Sequence, residues 1–76
     1  MNTNNWICVT NSSNVKSIAY DETKQVIYVN FIKNDNIYAW LNCTKEEFNQ
    51  FINSESKGKF VHHYLEIYKG KGIKIK

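Results

Sequence analysis

The sequence predicts an α+β fold in which a small antiparallel sheet of three or four strands is followed by one or two C-terminal helices. Residues 6–41 are rich in alternating β-branched and aromatic side chains, which favours strands. A helix-capping motif follows at residue 44, and apolar residues with helical spacing come after it. With 76 residues, 42% of them hydrophobic, we expect one domain over residues 1–76 and a core at about residues 12–68.

Four segments are predicted as strands and are joined by polar turns. They are residues 6–10, 15–20, 25–32 and 36–41. The turns between them are short, so consecutive strands are expected to form antiparallel hairpins. Residues 25–32 are the strongest strand, because β-branched and aromatic side chains are dense there.

Alternation in the last hairpin assigns its side chains to two faces. If Ile32 pairs with Asn36, one face is aliphatic and the other carries three rings. These rings belong to Tyr28, Tyr38 and Trp40. We expect the helices to cover the aliphatic face and to leave the rings bare, which indicates a binding surface. The alternative is that the second helix or a second copy of the chain packs on the rings.

Two helical segments are predicted after the sheet. Thr44 and Glu47 form a capping box, which predicts a helix over residues 45–53. Ser56 is the predicted cap of a second helix. Gly70 and Gly72 end that helix. Residues 69–76 are then either a basic tail or an edge strand.

Charge is distributed unevenly along the chain. The net charge is +3, but residues 57–76 hold six lysines and one glutamate, whereas residues 1–56 hold four lysines and six acidic residues. A basic C-terminal third indicates a phosphate or an acidic partner, and the alternative is a solvated tail that aids solubility. The chain contains no arginine, which argues against base-specific reading of duplex DNA.

Signals for metals, disulfides and membranes are missing from the sequence. Cys8 and Cys43 do not form a CxxC pair, so we expect no metal site and no cofactor. Apolar runs are too short to span a membrane, and the first residues are polar rather than signal-like. We therefore expect a cytoplasmic protein with reduced cysteines and no membrane partner. A core this small is marginal, so we also expect a homo-oligomer.

Five short motifs occur in a fixed order. They are Ser12-Ser13-Asn14-Val15, Ile18-Ala19-Tyr20-Asp21, Ile27-x-Val29-x-Phe31, Tyr38-Ala39-Trp40 and Ser56-Lys57-Gly58-Lys59-Phe60. Together they resemble the KTSC domain family, which occurs at the C-terminus of some lysyl-tRNA synthetases and as stand-alone bacterial and phage-type proteins. Trp40 stands where the family usually has a second Tyr, and His62 and His63 stand where it tends to carry a basic, Arg-containing stretch. The resemblance implies the α+β fold described above. It also implies a role in RNA binding, which has been suggested for the family.

Three further groups of residues are candidate ligand contacts. The segment Ser56-Lys57-Gly58-Lys59 combines a hydroxyl, a flexible backbone and two cations at a helix start, which suits a phosphate; the alternative is a capped turn with solvated lysines. His62 could pair with a phosphate or act as an acid or base, and the alternative is a surface histidine. Ser13 is a candidate contact because of its place in the family pattern.

The leading functional hypothesis is a non-catalytic binding protein whose ligand is a nucleotide. Bases would stack on Tyr38, Trp40 or Tyr28. Phosphates would be held by Lys57, Lys59 and the backbone amide of Gly58. A cyclic dinucleotide or a cyclic ADP-ribose type of signal suits this size and charge, and the protein would then be a phage-type sponge for an immune signal. The alternatives are an RNA-binding module and an inhibitor that acts on a host enzyme through the aromatic face.

Overall fold

An antiparallel sheet forms the centre of the computed structural model, which describes residues 6–76. The elements are β1 (Ile7–Cys8), β2 (Val15–Asp21), β3 (Val26–Phe31), β4 (Ile37–Trp40), α1 (Lys45–Asn53), α2 (Lys57–Phe60), a π-helix (Val61–Lys69) and β5 (Ile73–Lys74). The strands follow one another across the sheet in the order β1-β2-β3-β4-β5. The predicted α+β fold is confirmed, and within residues 6–76 the sheet has five strands where three or four were expected.

The loop between β3 and β4 is longer than the predicted one. The backbone N–H of Phe31 donates to the carbonyl of Asn36 at 2.8 Å, so residues 32–35 form a four-residue loop instead of a three-residue loop. Asn34 and Asp35 adopt φ angles of 62° and 53° within a short 3₁₀ turn. Asn and Asp tolerate this left-handed conformation better than most residues, which explains why the chain can turn here.

The extra loop residue shifts the register of the hairpin by one position. Tyr28 lies opposite Ala39 instead of Trp40. Trp40 lies opposite Ile27, and Tyr38 lies opposite Val29. Side chains alternate between the two faces along a strand. A shift of one residue therefore brings side chains that were predicted on opposite faces of the hairpin onto the same face, and separates those that were predicted to share one. The predicted register is therefore wrong, and Tyr28 does not share a face with Tyr38 and Trp40.

The helices pack on the face of the sheet that carries Trp40. The buried core on this side consists of Val15, Ile18, Tyr20, Ile27, Val29, Trp40, Cys43, Phe48, Phe51, Val61 and Leu65. Trp40 keeps only 3% of its surface exposed. The prediction that the helices leave this ring bare is wrong, and the alternative in which they cover it is the one observed.

The opposite face of the sheet carries a smaller apolar cluster. Its buried members are Ala19, Val26, Tyr28, Ile37 and Ala39, with Trp6 packed against them. Among the described residues, this cluster includes none from α1, α2 or the π-helix. The two clusters show that both faces of the sheet are apolar, as the alternation predicted, although the rings are distributed differently.

The capping motif at the start of α1 also joins the two helical segments. Thr44 accepts from the amide of Glu47, and the Glu47 carboxylate accepts from the amide of Thr44 at 2.9 Å, which confirms the capping box. The same carboxylate accepts a hydrogen bond from the Tyr64 hydroxyl and lies 3.0 Å from the Lys69 ammonium. Burial by itself would raise the pKa of Glu47, but the hydrogen bonds and the Lys69 charge outweigh burial and lower this pKa to about 2. The neighbouring carboxylate raises the pKa of Tyr64 to about 12.

The second helical segment begins at α2 and continues without a break as the π-helix. The Ser56 hydroxyl accepts from the amide of Lys59 at 3.2 Å, as predicted for a cap. The π-helix buries Val61 and Leu65 and ends at Gly70, whose φ of 87° a side chain would disfavour. Within residues 6–76, no helix combines the length and the apolar composition needed to cross a membrane.

The basic segment after the helices returns to the sheet as an edge strand. Ile73 pairs with Ala39 and Lys74 pairs with Tyr38 in antiparallel register. The backbone N–H of Ile37 also donates to the carbonyl of Lys76 at 2.8 Å. Of the two forms predicted for residues 69–76, an edge strand forms at Ile73–Lys74, whereas Lys69 belongs to the π-helix.

Candidate functional site

A groove of about 680 Å³ lies on the helix side of β4, and we call it the β4 groove. Its lining includes Phe31, Asn34, Tyr38, Trp40, His62 and Lys71. These residues come from the sheet, the β3–β4 loop, the π-helix and the segment that precedes β5. The groove therefore depends on the packing of elements that are distant in sequence.

Aromatic rings form the apolar part of the β4 groove. Tyr38 meets Phe31 edge to face, with ring centroids 5.6 Å apart. Tyr38 also lies beside Trp40, with centroids 6.4 Å apart and planes tilted by 36°. Tyr38 and Phe31 are half-buried, so each presents part of its ring to solvent. Planar ligands stack on such rings, which makes this pair the natural contact for a base.

Trp40 has a structural role beneath these rings. Its indole N–H donates to the carbonyl of Gly70 at 2.9 Å. A Cβ atom added to Gly72 would lie 2.6 Å from the indole carbon Cζ2, so only a glycine lets the backbone come this close. Because one side of the indole is covered in this way, Trp40 supports Tyr38 instead of offering a face of its own.

Amide side chains form the polar wall of the groove. Asn34 and Asn36 line it from the β3–β4 loop, and Asn14 lines it from the turn before β2. A buried residue, Asn30, holds the loop by donating to Asp35 at 3.0 Å and to the Asn36 carbonyl at 3.2 Å. The hydrogen bond from Asn30 lowers the pKa of Asp35. This network fixes the left-handed turn and keeps the loop amides at the groove.

Charged side chains flank the groove on two sides. Lys33 lies on the loop side, and Lys71 lies on the side of the segment before β5. On the π-helix, His62 Nδ1 is 2.7 Å from a carboxylate oxygen of Glu66, four residues later. The helix wall therefore holds a hydrogen bond between His62 and Glu66, whereas Lys33 and Lys71 form no ion pair with any of the described residues.

The predicted ligand contacts do not all lie in one place. Tyr38, Trp40 and His62 meet in the β4 groove. Tyr28 lies on the opposite face, where it is 7% exposed and borders a separate depression with Leu41. The structure therefore does not bring Tyr28 together with the other two rings.

The segment predicted as a phosphate seat lies outside the β4 groove. Ser56 and Lys59 border a separate, smaller depression beside Tyr64. The Lys57 ammonium donates to the carbonyl of Ser54 at 2.8 Å, and Ser56 acts as the helix cap. The bonds of Ser56 and Lys57 are thus those of the alternative interpretation, a capped turn.

Gly58 does not line the groove, but it packs against Asn14, which lines the groove from the turn before β2. A Cβ atom at Gly58 would lie 2.6 Å from the Asn14 side-chain oxygen, so the glycine allows α2 to approach this turn. The Ser12 hydroxyl donates to the same oxygen at 3.0 Å and accepts from the Val15 amide at 3.0 Å. Ser13 is exposed beside these bonds, and Ser12 is the serine that organises the turn.

Several residues that line the groove were not predicted as ligand contacts from the sequence. They are Asn14, Phe31, Lys33, Asn34, Asn36, Glu66 and Lys71. Asn14 and Phe31 lie in motifs that were recognised, so the motifs contained a usable signal for them. The loop asparagines looked like ordinary turn residues, because Asn is common in any turn.

The described part of the chain contains no cluster of three His, Cys, Asp or Glu side chains arranged to hold a metal ion. Both cysteines are free thiols, with Cys8 exposed and Cys43 buried. Burial raises the pKa of the Cys43 thiol, which keeps it protonated at neutral pH.

Comparisons with known proteins support the resemblance to the KTSC domain family. The model of the KTSC domain matches residues 11–68. A crystal structure of a KTSC domain protein from Yersinia pestis has a TM-score of 0.76 and 26% sequence identity, and the match covers 95% of this chain and 94% of that one. A search of curated proteins found no significant match. Since the family model covers more than half of the sequence, the chain belongs to the KTSC domain family.

Proposed function

We propose that the β4 groove binds a nucleotide and that the protein is a binding module rather than an enzyme. One observation carries the proposal: a single groove of about 680 Å³ combines aromatic rings, asparagine amides and two lysines. Sites for small ligands commonly have volumes of about 300–1,000 Å³ and combine apolar walls with a few polar groups. The groove has both properties.

The aromatic and amide walls suit a nucleobase. The half-buried rings of Tyr38 and Phe31 offer a stacking surface, and every base has a face that can stack on them. The amides of Asn34 and Asn36 each supply a donor and an acceptor, which is what the edge of a base requires.

The flanking lysines suit the phosphates. Lys33 and Lys71 enter the groove from different elements and act as point charges for anionic oxygens. This assignment replaces Lys57 and Lys59, because the Lys57 ammonium is bonded to Ser54 and Lys59 borders another depression.

We further propose that the ligand is a cyclic dinucleotide or a cyclic ADP-ribose type of immune signal and that the protein is a phage-type sponge. A sponge holds its ligand without converting it. Ligand recovered by denaturing the complex should therefore be intact by chromatography. Hydrolysed ligand would contradict the non-catalytic proposal.

RNA binding is the second candidate, and the lysine-rich segment of residues 57–76 favours it. Because RNA contacts the protein through several phosphates, its affinity should fall steeply as the salt concentration increases. The affinity for a small nucleotide should depend less on salt. An inhibitor that acts through a bare aromatic face is not proposed, because the helices cover the face that carries Trp40.

The experiment is a thermal-shift screen of mononucleotides, cyclic dinucleotides, cyclic ADP-ribose and a single-stranded RNA oligonucleotide. A ligand at a hundredfold excess over its Kd stabilises the folded state by about 2.7 kcal/mol, which raises the Tm of a domain this small by roughly 10 °C or more. Native mass spectrometry of the same samples measures the ligand stoichiometry and tests the expected homo-oligomer.

Matched tyrosine variants locate the site. Tyr38→Ala should weaken binding by about 1–3 kcal/mol, the usual contribution of stacking on a base. Tyr68→Ala is the control, because Tyr68 is 70% exposed and does not line the groove. Equal affinities of the two variants, or no shift with any compound in the panel, would contradict the proposal.

A further inference from the structure

Residues 70–76 form a strap that closes one side of the β4 groove. Lys71 and Gly72 line the groove directly. Beyond them, β5 pairs with β4, and the backbone N–H of Ile75 donates to the carbonyl of Ile37 at 2.9 Å. The strap lies outside residues 11–68, which the family model matches.

Two glycines allow the strap to dock on Trp40. Gly70 has a φ of 87°, which reverses the chain after the π-helix and directs its carbonyl to the indole N–H. Gly72 lies against the indole ring, where an added Cβ would be 2.6 Å from Cζ2 and 2.9 Å from Cε2. These distances are too short for any side chain, so the contact requires glycine at this position.

The strap is attached less firmly than the strands in the middle of the sheet. β5 comprises two residues at the edge of the sheet, and Ile73 and Ile75 are 51% and 45% exposed. By contrast, Ile27 and Val29 of β3 are fully buried. Segments with few buried contacts open at a lower free energy than the core does.

We infer that the strap is a movable wall of the β4 groove and that its docking on Trp40 is coupled to ligand binding. The inference rests on the proposed function, because the ligand is the nucleotide of that proposal. Only the docked strap places Lys71 at the groove. A ligand that contacts Lys71 therefore binds the docked state better, and by linkage it stabilises that state.

Fluorescence of Trp40 tests docking without any ligand. A Trp6→Phe background leaves Trp40 as the only tryptophan in the chain. In that background, Gly72→Ala should shift the Trp40 emission to the red and increase its quenching by acrylamide. Lys76→Ala is the control, because it retains the backbone bond to Ile37 and adds nothing near the indole. An unchanged emission and unchanged quenching in Gly72→Ala would overturn the inference.

Amide hydrogen exchange, followed by NMR on the full chain, tests the coupling. Amides of residues 73–76 should exchange faster than those of β3 in the free protein and slow down when a nucleotide from the panel is added. Gly72→Ala should bind that nucleotide about tenfold more weakly, within the usual range of coupling between sites.

The outcomes separate the two proposals. If the unaltered protein binds a nucleotide but strap exchange does not change and Gly72→Ala binds equally well, the strap inference is wrong and the proposed function stands. If no nucleotide binds, the proposed function fails, and the ligand coupling inferred here fails with it. Slow exchange throughout residues 73–76 in the free protein would refute a movable wall in either case.

Discussion

Replacing Glu47 with Gln should remove a pH-dependent part of the folding free energy. The carboxylate joins α1 to the π-helix, and its side chain is only 15% exposed. Hydrogen bonds from Tyr64 and Thr44, together with Lys69, outweigh burial and lower the pKa of Glu47 from 4.5 to about 2. At about 1.4 kcal/mol per pKa unit, this shift corresponds to roughly 3 kcal/mol of stability.

The direction of the pH dependence follows from the lowered pKa. The folded state holds the Glu47 proton less tightly than the unfolded state, so this stability is fully present above about pH 4.5. It is lost as the pH falls from 4.5 towards 2. In Glu47→Gln the corresponding slope should disappear, because the amide does not titrate in this range.

Urea unfolding at a series of pH values between 2 and 7 measures this effect. The difference in unfolding free energy between the unaltered protein and Glu47→Gln should be about 3 kcal/mol at pH 7 and should shrink at low pH. Glu46→Gln is the matched control, since Glu46 is exposed in the same helical turn. Parallel pH curves for the unaltered protein and Glu47→Gln would show that the Glu47 carboxylate does not stabilise the fold in this way.

Three other changes test the parts that build the groove. Trp40→Phe removes the bond to Gly70 and should reduce stability by about 1–3 kcal/mol in urea. It should also weaken nucleotide binding without abolishing it, because the strap docks on the indole; complete loss of binding in a folded variant would instead assign the indole to ligand contact. Asn30→Ala removes the two hydrogen bonds that Asn30 donates to the β3–β4 loop and should lower the free energy of unfolding by about 1–3 kcal/mol, with changed NMR signals at residues 33–36. Asn49 is exposed, so Asn49→Ala should leave the stability unchanged. Gly58→Ala should displace the Asn14 amide, visible as a shifted side-chain signal, and an unmoved signal would show that the contact is looser than described.

Local signals in the sequence were sufficient for most elements. The capping box at Thr44 and the cap at Ser56 depend on neighbouring residues only, and both formed as predicted. The order and approximate position of the strands also followed from alternation. These features need no knowledge of tertiary packing.

The faces of the central hairpin could not be obtained in the same way. They depend on one loop residue, and that residue is accommodated by left-handed backbone at Asn34 and Asp35, which the sequence pattern does not reveal. A shift of one residue then placed Trp40 under the helices and Tyr28 on the other side. Both faces of the sheet are apolar, so burial alone did not distinguish the two registers.

The groove itself depends on contacts between distant residues. Gly72 packs on Trp40, and Asn14 meets Gly58, yet each pair is separated by more than 30 residues in the chain. Glycine and asparagine are also common in ordinary turns, so their types did not indicate a binding site. Tyr38 was found because an aromatic residue in a strand is a stronger signal.

An NMR titration of the isotope-labelled protein with the best nucleotide from the panel tests the β4 groove most directly. We expect saturable changes at Tyr38, Asn34, Asn36 and Lys71, with the amides around Tyr28 unaffected. Changes centred on Tyr28, or on Lys59 and Tyr64, would place the ligand in one of the other depressions and show that the β4 groove is not the binding site.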